Sequence, residues 1–183
     1  MSASAFTYWS EKLLLALQVG AKQHRLMSYD AYRMETFCVD GVTIVLDGCH
    51  NGKSVELCME GLRSYYSTCD LWILFGAGLD KCILDMMHEI GTKADQLIFA
   101  QASHFRAFGE QQLLDKLPAS ASHKVLSVTP EYPQSHSSGT VALRLAYAIQ
   151  VAKDRMQTTG RKVVICACGS LFIAADAREY LFR

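Results

Sequence analysis

Short apolar segments alternate along most of the chain with longer segments of mixed polarity. Residues 42–46, 71–75 and 163–167 are almost entirely apolar, which is typical of strands buried on both faces of a sheet. Residues 54–66 and 139–156 instead place apolar side chains about three and four positions apart, the spacing of a helix that buries one face. This alternation predicts a mostly parallel sheet with helices on both faces.

The predicted sheet has about six strands, which makes the fold a Rossmann-like α/β sandwich of three layers. The first two strands are joined by Asp40-Gly41, a pair that favours a tight hairpin turn. Strands are predicted at 36–39, 42–46, 71–75, 96–100, 124–128 and 163–167. Helices are predicted at 54–66, 82–90, 110–117, 139–156 and 171–181, and the clearest loop at 129–138. Connections between parallel strands are expected to be right-handed crossovers.

The beginning of the chain differs from the rest. Residues 5–20 carry a leucine-rich helical pattern that ends at Gly20, whereas residues 21–33 are polar and weakly periodic. We therefore predict that residues 1–33 are a helix and linker left from a preceding domain. Residues 34–183 are predicted to form the main domain.

Charge and composition argue against several classes of function. The 183 residues include 18 basic and 18 acidic side chains, so net charge gives no reason to expect nucleic acid or an anionic membrane as a partner. No apolar run approaches the ~18 residues that span a bilayer, and residues 1–10 lack the pattern of a secretory leader. We expect a cytoplasmic protein, or a mitochondrial one if an amino-terminal segment is missing.

The seven cysteines are expected to be reduced and structural. Their number is odd, several fall within apolar strand-like segments, and the sequence contains no Cys-x-x-Cys pair. Cys166 and Cys168 are two apart, which places both on one face of a strand, but no nearby histidine pair completes a zinc set. The sequence therefore predicts no metal site.

Polar residues follow several of the predicted strands, at the edge where an open parallel sheet binds its ligands. They are Asp47 and His50 after the second strand, Lys81 after the third, Arg106 after the fourth and Ser170 after the last. Helix amino termini and basic side chains at one edge suit a phosphate or a carboxylate. Together these residues predict a rim that binds an anionic ligand; a surface position for Arg106 and a helix cap for Ser170 are the alternatives.

The loop after the second strand also comes close to a phosphate-binding P-loop. Gly52-Lys53-Ser54 supplies the ending of that motif, but three residues separate Gly48 from Gly52 where the motif requires four. The alternative is that Ser54 or Asn51 caps the following helix and that Lys53 is solvated. No complete P-loop motif occurs elsewhere in the chain.

Five short segments resemble motifs of one enzyme family, in the same order and with similar spacing. They are YRME at 32–35, LDGCHN at 46–51, FG at 75–76 followed by DK at 80–81, FRA at 105–107 and GSLF at 169–172. They are similar to the segments GRME, LDGAHN, FG…DKD, PRA and GSLY of the folylpolyglutamate and dihydrofolate synthases, which belong to the Mur ligase superfamily. The resemblance extends from about Tyr32 to the end of the chain.

This resemblance implies a fold and a role. In the family, the carboxy-terminal domain is a Rossmann-like sheet that closes over an amino-terminal ATPase domain, which binds most of the ATP and Mg²⁺. The enzyme phosphorylates the terminal carboxyl of a folate, and the amine of L-glutamate then attacks the acyl phosphate. By motif position, Asp47, His50 and Asn51 would bind nucleotide or glutamate, Lys81 would assist glutamate use and Ser170 would hold glutamate.

The sequence departs from the family pattern at three points. Gly52 stands where proline is usual, Cys82 stands where a second acidic residue is common, and a P-loop is absent. We therefore predict that the chain alone has no ligase activity and needs an ATPase domain or subunit. A dihydrofolate synthase or Mur-type peptide ligase domain, a small P-loop kinase built on Lys53 and a non-catalytic interaction module are the alternative functions.

Overall fold

A five-stranded sheet forms the centre of the domain. A computed structural model describes residues 32–126 and 140–182 of the chain. The strands are β1 (Glu35–Val39), β2 (Val42–Leu46), β3 (Asp70–Phe75), β4 (Gln96–Phe99) and β5 (Val163–Cys168). They lie side by side in the order β1-β2-β5-β3-β4. Strand β1 is antiparallel to β2, and all other neighbours are parallel, so the predicted mostly parallel sheet is confirmed.

Helices cover both faces of this sheet, as predicted. They are α1 (Gly52–Tyr65), α2 (Leu84–Lys93), the short α3 (Glu110–Leu114), α4 (Thr140–Thr159) and α5 (Leu171–Leu181), with a 3₁₀ helix at Ala119–Lys124. Side chains of α1 and α2, such as Met59 and Met86, pack in one core with alternate residues of the strands. Side chains of α4 and α5, such as Leu145 and Ala174, pack in a second core on the opposite face. None of the described helices is long and apolar enough to cross a membrane.

The hairpin between β1 and β2 forms as Asp40-Gly41 predicts. Both turn residues have positive φ, 52° at Asp40 and 85° at Gly41, which is the requirement of a type I′ turn. The register pairs Val39 with Val42 directly across the turn. A two-residue turn of this type matches the twist of the strands it joins, and the hairpin therefore adds β1 as an antiparallel edge.

Of the sixth strand predicted at 124–128, the described residues form only an isolated parallel bridge beside β4, with the N–H of Leu126 donating to the carbonyl of Leu97 over 2.8 Å. Residues up to Lys124 belong to the 3₁₀ helix, and only Val125 bridges to Leu97 of β4. The ammonium group of Lys124 donates hydrogen bonds of 2.8 Å and 2.9 Å to the carbonyls of Gly91 and Ala94, and these bonds hold the chain at the carboxyl end of α2. Among the described residues the sheet has five strands.

Other predicted elements differ at their ends or fall outside the described part of the chain. The helix predicted at 110–117 ends at Leu114. The predicted helix at 5–20, most of the linker at 21–33 and the loop at 129–138 lie outside the described residues. The assignment of residues 1–33 to a preceding domain therefore stays a prediction.

Strand β5 is the central strand, and the segment that follows it passes close to the backbone of the segment that follows β3. All six residues of β5 are buried. The chain leaves it at Gly169 with φ +95°, and a Cβ at this position would lie 2.5 Å from the carbonyl oxygen of Gly76, beyond the end of β3. Only glycine meets both requirements, since a side chain would be strained by the φ angle and would also strike the neighbouring backbone.

We expect Gly169→Ala to destabilise the domain more than Gly41→Ala. Both glycines have positive φ, which costs an alanine about 1–2 kcal/mol at either site. At Gly41 nothing lies within 4 Å of an added Cβ, whereas at Gly169 the added atom meets backbone. Urea denaturation of the two variants measures the difference in the free energy of unfolding. If both variants lose the same free energy of unfolding, the close approach of Gly169 to the carbonyl of Gly76 contributes nothing.

Candidate anion-binding site

The loops that follow the parallel strands meet at one edge of the sheet and are held together by backbone hydrogen bonds. The N–H of Gly169 donates to the carbonyl of Cys49 over 3.0 Å, which joins the loops after β5 and β2. The N–H of Leu79 donates to the carbonyl of Arg106 over 2.7 Å, which joins the loops after β3 and β4. These bonds fix the positions from which the polar side chains project.

A pocket of about 210 Å³ lies between these loops. His50, Lys81, Arg106 and Ser170 line it, together with Asp80, His104 and Phe172. Each of the four loops at this edge contributes to the lining. The volume is below the ~300–1,000 Å³ of sites that enclose a drug-sized ligand. The pocket therefore suits a small anionic group or part of a larger molecule.

The imidazole of His50 is oriented by its own loop. Its Nδ1 lies 2.9 Å from the carbonyl oxygen of Gly48. A carbonyl oxygen only accepts hydrogen bonds, so Nδ1 carries the proton in this arrangement. The ring nitrogen Nε2 is then the atom of His50 that remains to accept from, or when protonated to donate to, a bound group.

Two cationic side chains give the pocket its charge. The ammonium group of Lys81 lies 3.1 Å from the carboxylate of Asp80, and this hydrogen bond lowers the pKa of Asp80. Arg106 is exposed and forms no ion pair with another described residue. Its guanidinium lies over the ring of Phe105, 5.4 Å from the centroid. Arg106 contributes to the low pKa of the nearby Asp80 carboxylate without forming an ion pair with it, so an incoming carboxylate would find a guanidinium that is not held by another described side chain.

Aromatic rings flank these charges, and the sequence analysis did not select them. The ring of His104 stacks on that of Phe172, with centroids 4.1 Å apart and planes inclined by 16°. Half of the surface of Phe172 and 86% of that of Phe105 is exposed. The sequence contained a signal for both rings, because His104 and Phe172 each lie two positions from a selected residue, Arg106 and Ser170 respectively, in the loops that follow strands.

Two of the predicted site residues cap helices. The carbonyl oxygen of the Asn51 side chain accepts from the N–H of Ser54 over 2.9 Å, and the Ser54 hydroxyl completes a capping box. The Ser170 hydroxyl accepts from the N–H of Phe172 over 3.2 Å. Ser170 still lines the pocket, whereas Asn51 is not among the lining residues. The geometry of α1 thus agrees with the helix-cap alternative for Asn51.

Lys53 is solvated, which agrees with the alternative to a phosphate-binding P-loop that the sequence analysis gave. Its ammonium group lies 2.7 Å from the carboxylate of Glu56, and 71% of the side chain is exposed. Lys53 is not among the residues that line the pocket. The first turn of α1 therefore does not direct this lysine toward the anion-binding edge.

Asp47 lies beneath the pocket rather than in its lining. Its side chain is buried, and its two carboxylate oxygens accept from the N–H groups of Cys49 over 2.8 Å and Met34 over 3.1 Å. These bonds tie the loop after β2 to the segment before β1. Asp47 thereby positions the backbone on which His50 stands.

Burial decides the protonation of Asp47. The hydrogen bond from Cys49 favours the ionised carboxylate, but loss of hydration opposes it more strongly, and the thiols of Cys49 and Cys166 add to this effect. Together they raise the pKa of Asp47 to about 8. The carboxyl group is therefore mostly protonated at neutral pH.

Comparison with known proteins agrees with this architecture. The family model described as "Mur ligase, glutamate ligase domain" matches residues 32–170. The chain belongs to the Mur ligase family. No curated protein sequence matches it significantly.

Solved structures of folylpolyglutamate synthases share the fold of this Mur ligase domain. The Mycobacterium tuberculosis enzyme complexed with ADP and AMPPCP has a TM-score of 0.71 at 15% identity, over 86% of this chain and 33% of its own. The Yersinia pestis bifunctional folylpolyglutamate and dihydrofolate synthase, complexed with AMPPNP and Mn, has a TM-score of 0.63 at 19% identity, over 84% and 32%. Escherichia coli FolC, in complex with DHPP and ADP, has a TM-score of 0.60 at 17% identity, over 92% and 37%. The chain thus spans about a third of the length of these structures.

The structure therefore brings four of the six predicted site residues of this Mur ligase domain around one pocket. These are His50, Lys81, Arg106 and Ser170. Asp47 and Asn51 lie beside them in the loop after β2, where they hold the backbone. That any of the six binds a nucleotide or glutamate stays a prediction.

The buried carboxyl of Asp47 predicts a characteristic pH dependence of stability. Its folded pKa of about 8 lies above the usual value of about 3.9 for an unfolded chain, so its stabilising contribution is complete below about pH 4 and is lost as the pH rises to about 8. Asp47→Asn has no proton to lose. Between about pH 5 and about pH 9, we expect the free energy of unfolding of the wild type to fall relative to the variant by at least ~1 kcal/mol.

Urea denaturation at the two pH values tests this expectation. Asp115→Asn, which removes an exposed carboxylate, serves as the control and should run parallel to the wild type. If the Asp47→Asn profile also runs parallel to the wild type, the carboxyl is already ionised in the folded domain at low pH.

Proposed function

We propose that this chain is the carboxy-terminal domain of a folylpolyglutamate synthase, the ATP-dependent ligase that adds L-glutamate to tetrahydrofolate. In this proposal, the pocket supplies one half of a cleft for glutamate and nucleotide. The observation that carries it is the meeting of His50, Lys81 and Arg106, which come from three separate loops, around one small pocket. Membership of the glutamate ligase domain family supports the assignment.

The chemistry of such a ligase explains why the pocket is cationic. Glutamate carries two carboxylates, and the acyl phosphate that its amine attacks is also negatively charged. Cationic and N–H groups must therefore offset the repulsion between the two reactants. In our proposal, Arg106 binds a glutamate carboxylate, while Lys81 exchanges part of its interaction with Asp80 for the ligand.

The proposed reaction needs a second domain or subunit. We propose that an ATPase domain binds most of the ATP and Mg²⁺, and that closure of the two halves excludes water that would hydrolyse the acyl phosphate. Nucleotides and Mn are present in relatives of the same fold, which supports this expectation. The substrates are then a folate and L-glutamate, and the expected location is the cytoplasm.

The alternatives differ in how well the site supports them. A dihydrofolate synthase or a Mur-type peptide ligase domain would use the same pocket, and only the acceptor substrate separates them from the proposed enzyme. A small P-loop kinase is disfavoured because Lys53 pairs with Glu56 away from the pocket. A non-catalytic interaction module would retain the fold but bind none of the ligands.

Calorimetry with the purified chain tests the proposed ligands one at a time. We expect L-glutamate or ADP to bind, and Arg106→Ala to weaken the binding of L-glutamate about 10- to 100-fold, since a hydrogen bond to a charged group contributes ~1.5–3 kcal/mol. Arg106 is exposed, so its replacement should leave the fold intact. Lys162→Ala removes an exposed cation next to the amino end of β5, at the opposite edge of the sheet, and should bind like the wild type.

Reconstitution tests the need for a partner. The chain alone should not turn over ATP with folate and glutamate, and addition of the matching ATPase subunit should restore turnover. Turnover by the chain alone would contradict the proposed division of the active site. If the wild type binds neither glutamate nor nucleotide and no partner restores turnover, the interaction module is favoured instead.

A further inference from the structure

A row of three aromatic rings borders the anion-binding pocket. His104 lies in the middle of the row, stacked on Phe172 with centroids 4.1 Å apart and tilted by 33° against Phe105 at 4.7 Å. His104 and Phe172 line the pocket, and Phe105 stands on the same loop as His104 with most of its surface exposed. The pocket therefore has an aromatic wall as well as its cations, and L-glutamate has no group that would use such a wall.

Hydrogen bonds to α5 hold this wall in place. The backbone N–H of Ser103 donates to one carboxylate oxygen of Asp176 over 2.8 Å, and the Ser103 hydroxyl donates to the other oxygen over 2.7 Å. His104 follows directly, and the ring on which it stacks, Phe172, belongs to the same helix as Asp176. The rings are thus fixed before a ligand arrives, so binding does not have to order them.

Large apolar side chains are exposed preferentially at this edge of the sheet. Eight are exposed among the described residues, and four of the eight belong to the loops and the helix end around the pocket: Leu79, Phe105, Leu171 and Phe172. An exposed apolar patch with charged side chains beside it is typical of a binding site. Within the pocket, the small side chains of Ala77, Ala102 and Ala107 occupy little of the space next to the rings, which suits a flat group.

The cation nearest to the rings favours a ligand whose anionic group lies close to its own ring. The N–H of Ala107 donates to the carbonyl of His104 over 2.9 Å and closes a turn with Phe105 and Arg106 at its centre. The guanidinium lies 5.4 Å from the centroid of the Phe105 ring. An N-aroyl amino acid separates its ring from a carboxylate by an amide group and one carbon atom, whereas a nucleotide places a ribose between its base and the first phosphate. The arrangement therefore fits the aroyl compound better.

We propose that His104 and Phe172, extended by Phe105, form a subsite that stacks against the aromatic ring of an N-aroyl amino acid, whose carboxylate Arg106 binds. In the proposed ligase this ring is the aminobenzoyl group that precedes the glutamate of a folate, and that identification rests on the proposed function. The domain then contributes to recognition of the acceptor substrate as well as of glutamate. The subsite itself rests only on the geometry of the pocket.

Two N-acyl derivatives of L-glutamate separate the effect of the ring from that of the carboxylates. Both 4-aminobenzoyl-L-glutamate and N-acetyl-L-glutamate carry two carboxylates and an amide, and only the first has an aromatic ring. We expect calorimetry with the full chain to give a dissociation constant at least about fivefold lower for the aminobenzoyl derivative. We also expect the NMR signals of its aromatic protons to shift upfield on binding, because these protons would lie over the face of another ring. Equal affinities, or binding of neither compound, would overturn the proposal.

Variants of Phe172 test the ring itself. Phe172→Leu keeps an apolar side chain without the ring and should lose the preference for the aminobenzoyl derivative, whereas Phe172→Tyr keeps the ring and should retain the preference. Phe182→Leu is the matched control, since Phe182 is also about half exposed but does not line the pocket, and this variant should bind like the wild type. An unchanged preference in Phe172→Leu would contradict the proposal. If that variant does not fold, the upfield shift in the wild type decides.

Free L-glutamate and ADP distinguish this subsite from the proposed function. If L-glutamate binds but the aminobenzoyl group adds no affinity, the ring subsite is wrong and the proposed function stands. If the aminobenzoyl derivative is preferred by a chain that binds no free L-glutamate, the ring subsite is supported and the proposed function is not. We expect Phe172→Leu to leave ADP binding unchanged. Weaker ADP binding by this variant would assign the rings to the nucleotide base and overturn the proposal.

Discussion

The close contact between the chain segments that leave β5 and β3 is the constraint on which the rest of the site depends. Gly169 has a φ of +95°, and a Cβ added to it would lie 2.5 Å from the carbonyl oxygen of Gly76. Because β5 lies between β2 and β3, this contact sets how near the neighbouring loops can come to each other. The N–H of Gly169 then reaches the carbonyl of Cys49, and the loop that carries His50 takes its position from that bond.

The loop after β2 serves two regions of the molecule at once. Above the sheet edge it presents His50 to the pocket, and below it the buried side chain of Cys49 packs in the core between the sheet and α1. Asp47 connects the two, since its carboxyl group accepts from the backbone N–H of Cys49 and lies within 4.8 Å of the sulfur atoms of Cys49 and Cys58. A change in the charge of the Asp47 carboxyl would therefore affect both the core and the loop that carries His50 at the rim of the pocket.

The charge of the pocket comes from loops rather than from the domain as a whole. Acidic and basic residues balance over the chain, yet Arg106 has no acidic partner among the described residues, while most of the other arginines are paired. For example, Arg155 and Arg161 both pair with the buried carboxylate of Asp70 near the opposite edge of the sheet. A cation without a partner beside a small pocket is therefore a local feature, and net charge gives no sign of it.

The sequence by itself determined the elements of the fold and the edge at which the polar residues gather. Apolar strands such as 42–46, the Asp40-Gly41 turn and the helical spacing of 54–66 are local patterns, and each formed close to its predicted bounds. Tertiary structure decided what local patterns do not contain. Bonds from Lys124 fasten the 3₁₀ helix to the end of α2, burial raised the pKa of Asp47, and the fold packed cysteines more than 100 positions apart into one core. The spacing of residues along the sequence predicts which side chains share one face of a strand or helix. Contacts between residues of separate elements form only when the chain packs.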